Sequence, residues 1–178
     1  MIRKAVRGLG VALALALLAG CQARTEALKP IAASNVQSYR VAAVEVTAGD
    51  PSVGGSVLSR LDISLREATD VCATGDKPVV LDARVDHYRE AGTAATILAG
   101  DVTVLAGRVA LRDPQTRRLL ASSYIESSVG GGGLIGVVVT ELGEEGLTDT
   151  FASDVCEEIW QVRPPEQTFK PGGSINED

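Results

Sequence analysis

Histidine, methionine and the aromatic residues are nearly missing from this 178-residue sequence, which has one His, one Met, one Trp, three Tyr and two Phe. The lone histidine, His87, has no His, Cys or Asp companions at ligand spacing, which argues against a metal site. No Gly-x-Ser-x-Gly elbow occurs either, so serine-nucleophile chemistry has no foothold. Positive charge is also scarce. Three of the 17 Lys and Arg stand before residue 8, and the chain beyond them carries 14 against 23 Asp and Glu, a balance of −9. Such a surface excludes nucleic acid as a partner and offers no electrostatic attraction to anionic lipid. The apolar run Gly8 to Leu18 is too short to span a bilayer, which takes about 20 residues.

What is present begins with that run. Arg3, Lys4 and Arg7 precede it, and the small residues Ala19 and Gly20 follow it, the order of an export signal with its cleavage site. The four residues Leu18-Ala19-Gly20-Cys21 resemble the lipobox of bacterial lipoproteins. The resemblance implies that Cys21 is acylated and becomes the first residue of the mature chain, with membrane attachment through that anchor. It also implies delivery to the outer membrane, facing the periplasm, because Gln22 stands where an Asp would hold the product at the inner membrane. The plainer alternative is an ordinary signal peptide followed by a chance cysteine. On this reading residues 1–20 are the signal, 21–38 the acylated Cys and a flexible tether, 39–162 an αβ domain and 163–178 a disordered tail. Pro30 argues against a helix over Glu26 to Ala33.

Within the domain, Tyr39 to Thr47 is rich in β-branched residues and predicts a strand closed by Gly49-Asp50-Pro51. Asp50 and Pro51 suit the N-cap and first position of a helix. Val57, Leu58, Leu61, Leu65, Ala68 and Cys72 share one face of that helix. Pro78 to Tyr88 alternates, with Val79, Leu81, Ala83, Val85 and His87 on one side and Asp82, Arg84, Asp86 and Tyr88 on the other. Asp101 to Arg112 and Arg118 to Ser127, joined at Asp113-Pro114-Gln115-Thr116, complete an antiparallel meander. Leu147, Phe151, Val155 and Ile159 mark a last helix over Thr148 to Trp160. The order β-α-β-β-β-α predicts an α+β fold, a two-layer αβ sandwich with a mixed, mostly antiparallel sheet and both helices on one face. The first strand reaches the second through a helix, which requires a parallel pair. The open face then carries Asp82, Arg84, Asp86, Arg108 and Arg112.

From about Val41 to Trp160, the segment DARVDHY, the run AGRVALRDPQTRRLLASSYIESSVGGGG and the closing amphipathic helix resemble uncharacterised envelope lipoproteins of the domain-of-unknown-function type. Their fold is similar to that of the curli-secretion lipoprotein and of the N-terminal domain of the Tol-Pal propeller protein. The resemblance implies an interaction or assembly role and transfers no functional residue.

Two cysteines remain once Cys21 is used. The predicted topology puts Cys72 and Cys156 in the last turns of two helices that end at the same end of the sandwich. In an oxidising periplasm they form a disulfide, the alternative being two buried thiols. Gly131-x-Gly133-x-x-Gly136 matches the dinucleotide fingerprint, but no further strand follows its helix to build the crevice, so no cofactor is expected. Asp82 and Asp86 flank Arg84 and are better explained as a salt-bridged face than as paired acid and base. The favoured reading is a non-catalytic envelope lipoprotein that binds a protein partner or forms a homo-oligomer. The alternative is a small-ligand-binding or enzymatic domain using a cleft near Gly130–Gly136.

Overall fold

The computed structural model describes residues 24–30, 33–92, 101–129 and 143–164. The elements are β1 (Arg24–Lys29), α1 (Ala33–Val36), β2 (Tyr39–Ala48), α2 (Gly55–Cys72), β3 (Lys77–Arg89), β4 (Thr103–Arg112), β5 (Leu119–Val129) and α3 (Gly143–Trp160). The strands form one sheet in the order β1-β5-β4-β3-β2. The β2–β3 pair is parallel and the other three pairs are antiparallel, so the mixed α+β sandwich is as expected.

The core follows from the alternation of the strands. Leu81 and Val85 of β3, Leu105, Val109 and Leu111 of β4 and Ile125 of β5 point to one face and are almost fully buried. Leu61 and Leu65 of α2 and Leu147, Phe151 and Val155 of α3 close over them. Burying side chains of this size contributes roughly 1.5–3 kcal/mol each. Between the helices the Ser64 hydroxyl donates to Asp149 Oδ1 at 2.6 Å and lies 3.1 Å from Thr148 Oγ1. That contact satisfies a buried hydroxyl where the two helices meet.

The tether expected over 21–38 does not have that form in its described part. Residues 24–29 add an edge strand, paired antiparallel to β5 from Arg24↔Glu126 to Ala27↔Ser123. The Lys29 ammonium donates to the Leu119 carbonyl at 2.6 Å. This stretch lacks the β-branched pattern of a strand. The free hydrogen-bonding edge of β5 supplies what local sequence does not. The domain therefore begins before Tyr39.

The start of α2 also differs. Its N-cap is Gly54, and Asp50 instead accepts the Ser52 backbone N–H at 2.8 Å in a turn two residues long. Asp and Asn make such turns readily, and here the turn delays the helix past Pro51. That hydrogen bond holds the Asp50 carboxyl below the usual carboxylate range.

A third difference lies in β3. The β3–β4 register shifts between Val85 and His87, where Val85 faces Gly107 and His87 faces Ala106. The extra residue is Asp86, and beyond it the alternation inverts, as a bulge requires. His87, expected on the apolar side, is exposed, while Tyr88 packs against the core. Gly107 sits beside this bulge, and a Cβ there would run into the Arg84 carbonyl. The close approach of the two backbones explains a glycine in mid-strand.

Candidate functional site

The open face of the sheet is a lattice of ion pairs. On β3, Asp82 and Asp86 alternate with Arg84, and on β4 Arg108 and Arg112 stand on the same face. Arg112 Nε donates to Asp82 Oδ2 at 3.0 Å. Asp86 receives two guanidinium groups, Arg84 on Oδ1 and Arg108 on Oδ2, each at 3.1 Å. The carboxylates thus bind separate arginines and do not form an acid–base pair with each other. Arg117, in the β4–β5 turn with φ 58°, reaches back over the face and grips Glu45 of β2 with both terminal nitrogens, at 2.8 and 2.6 Å. That fork holds the Glu45 carboxyl below its ordinary range.

The turn that aims Arg117 is itself built by one side chain. Asp113 accepts the backbone N–H of Gln115 and Thr116 and the Thr116 hydroxyl, which lowers its own pKa. Asp-Pro-Gln-Thr was legible as a turn. The partner of Arg117 was not, because Glu45 lies 72 residues away in sequence.

The side chains of Arg84 and Arg108 are 55% and 59% exposed, which makes these pairs a solvated polar surface with little stabilising effect. Three arginines and two aspartates of this face were named from sequence, and all five lie on it. Glu45 and Arg117 were missed.

A cleft of about 290 Å³ opens between β1, α1 and the C-terminal end of α3. Ala27, Pro30, Val36, Ala121 and Ile159 supply its apolar lining, and Lys29, Ser123, Glu157 and Glu158 its polar rim. Each rim group already has a partner: Lys29 on Leu119, Ser123 on Glu158 Oε1 at 3.4 Å, and Glu157 on Arg163 at 2.6 Å. Nearby, Ser127 donates to Asp154, whose carboxyl burial pushes up from its ordinary 3.8. A raised carboxyl can serve as a general acid, and the group beside this one is the Ser127 hydroxyl.

Cys72 and Cys156 are joined by a disulfide with a Cα–Cα distance of 5.9 Å. It ties the last turn of α2 to α3, and both residues are buried. Cys21 and the Gly130–Gly136 joint lie outside the described residues. Among the described residues there is no group of three His, Cys, Asp or Glu placed to hold a metal ion. No described helix is long and apolar enough to cross a membrane.

No family model and no curated protein sequence matches the chain. Among solved structures, the chain is similar to the PelC dodecamer from Paraburkholderia phytofirmans at 15% identity. The match covers 79% of this chain and 99% of that one, with a TM-score of 0.45. It is also similar to a minor lipoprotein from Acinetobacter baumannii at 15% identity, over 74% of this chain and 94% of that one, with a TM-score of 0.39. Likeness at this level concerns general shape and assigns no role to this chain.

Proposed function

We propose that this protein is a lipoprotein anchored through Cys21 in the outer membrane and facing the periplasm. Its open sheet face binds a protein of the cell envelope, or a second copy of the chain, without a catalytic step. The observation that carries the reading is the uncovered face itself. Two helices seal one side of the sheet, whereas on the other no described element lies over Glu45, Asp82, Asp86, Arg84, Arg108 and Arg112. A surface of interleaved charges already held by partners loses little side-chain entropy on docking and selects a partner by charge register. The disulfide supports export, since such bonds persist in oxidising compartments.

The test is a photo-crosslinking amino acid at Thr47, Ala110 or Ser122 in living cells, with mass spectrometry of the adducts. A discrete protein adduct from these positions, lost in Arg108→Glu, is the expected result. Adducts only from the helix side, at Ile63 or Glu67, would refute the face. Intact mass without acyl addition at Cys21 would refute the anchor.

A further inference from the structure

We infer that Arg84 and Arg108 form an anion-binding site on the open face, and that its ligand is a single carboxylate on an acidic segment of another protein. The inference deepens the docking reading of that face. It rests on that reading for the partner, but not for the site.

Register builds the site. Thr47 of β2 lies beside Arg84 of β3, Arg84 lies opposite Arg108 of β4, and Arg108 lies opposite Tyr124 of β5. Neighbouring strands are about 4.8 Å apart, so these four residues make one row across the open face. Each can donate a hydrogen bond, through a hydroxyl or a guanidinium. Two arginines directly opposite one another repel, and the carboxylate between them is Asp86, the extra residue of the β3 bulge. Gly49 packs its backbone against this cluster. A Cβ on Gly49 would strike Asp86 Oδ1 and fall 2.7 Å from Arg84 Nε.

The nitrogen that each arginine spends sets this pair apart. Both hold Asp86 through Nε. Among the described residues, no partner takes a terminal nitrogen of either one. Arg117 instead closes both terminal nitrogens on Glu45, and Arg66 closes Nε and one terminal nitrogen on Asp62. Asp86 is also the lower group, 19% exposed beneath the two more exposed arginines. An approaching ligand therefore meets unspent guanidinium nitrogens before it meets the aspartate.

Charge selects the ligand. Two guanidinium groups and one aspartate leave a single positive charge, which one carboxylate neutralises and a doubly charged phosphate exceeds. The carboxylates around the row sharpen that choice. Glu45 and Asp82 are taken by Arg117 and Arg112, and Glu126 stands two residues beyond Tyr124 on β5, so a second negative charge on the ligand meets repulsion. The chain beyond residue 7 carries 14 Lys and Arg against 23 Asp and Glu, so copies of it repel one another. The carboxylate then belongs to a different protein.

The experiment uses the full-length acylated protein in uncharged detergent micelles, isotope-labelled at the arginine nitrogens and followed by nuclear magnetic resonance. The probes are a blocked Gly-Glu-Gly peptide with one carboxylate, its Gly-Gln-Gly counterpart and inorganic phosphate. The expected result is a saturable shift of the Arg84 and Arg108 Nε–H signals with the Glu peptide alone. Arg84→Gln and Arg108→Gln should each weaken it about tenfold. Arg163→Gln, which removes the exposed pair with Glu157, should leave it unchanged. A melting curve shows that each variant is folded. Equal shifts with the Gln peptide, no shift with the Glu peptide, or equal movement of the Arg163 signal overturns the site. Tighter binding of phosphate than of the Glu peptide overturns the carboxylate. Self-association that Arg108→Gln abolishes overturns the assignment to another protein. Saturable binding without any protein adduct at Thr47, Ala110 or Ser122 in cells leaves the site standing and removes the docking reading.

Discussion

Leu81 and Asp82 are neighbours in β3, yet one is sealed beneath two helices and the other rests on Arg112 on the open face. The same strands thus build two surfaces whose contributions differ in kind. On the helix side, burial and the disulfide hold the fold together. On the open side, ion pairs arrange a surface and contribute little, because each pair is partly screened by water. The comparison yields ordered expectations. The largest effect belongs to the Cys72→Ala, Cys156→Ala double variant. With 84 residues separating the two cysteines, the loss is on the order of 4 kcal/mol by the chain-entropy argument, read from urea midpoints. Leu111→Ala, at a fully buried site, comes next at about 3 kcal/mol in the same measurement. Gly107→Val forces a side chain into the Arg84 backbone beside the bulge and costs about 1–3 kcal/mol. Arg112→Ala on the open face costs about 1 kcal/mol or less, and the difference shrinks further in high salt. If Arg112→Ala proved as damaging as Leu111→Ala, the division of labour between the faces would be wrong.

The smallest effect is a pH dependence whose sign separates the faces. Burial raises the folded pKa of Asp154 above its ordinary 3.8, so its contribution to stability is full below that value. The contribution is lost as pH rises from there through the raised value. Asp154→Asn is therefore expected to melt higher than the natural protein at neutral pH, with the gap closing near pH 4. Glu45 is shifted the other way by the Arg117 fork, and its contribution is present above its ordinary 4.5 and lost as pH falls through and below it. Glu45→Gln should leave the neutral-pH melting temperature slightly lower and the acid limb flatter. A thermal melt series from pH 3 to pH 8, roughly the range in which carboxyl groups titrate, reads both variants.

Much of the open face was legible because alternation along β3 and β4 needs only the local sequence. Asp82, Arg84, Arg108 and Arg112 follow from counting by twos. His87 did not, since the count breaks at Asp86, and the cause of the break is the register against Gly107 on another strand. The bracket of Arg117 on Glu45 was equally hidden, because it depends on how far the β4–β5 turn leans across two strands.

The residues alone determined the periodic elements, their order and the parallel pair forced by the first crossover, and they put Cys72 and Cys156 at matching helix ends with a disulfide and two buried thiols both open. Hydrophobic period and chain connectivity are enough for these. Only the folded sheet decided that Arg24–Lys29 is a strand and that His87 turns outward. In both cases the hydrogen-bond partner belongs to a distant segment, so neither outcome can be read from the residues on either side.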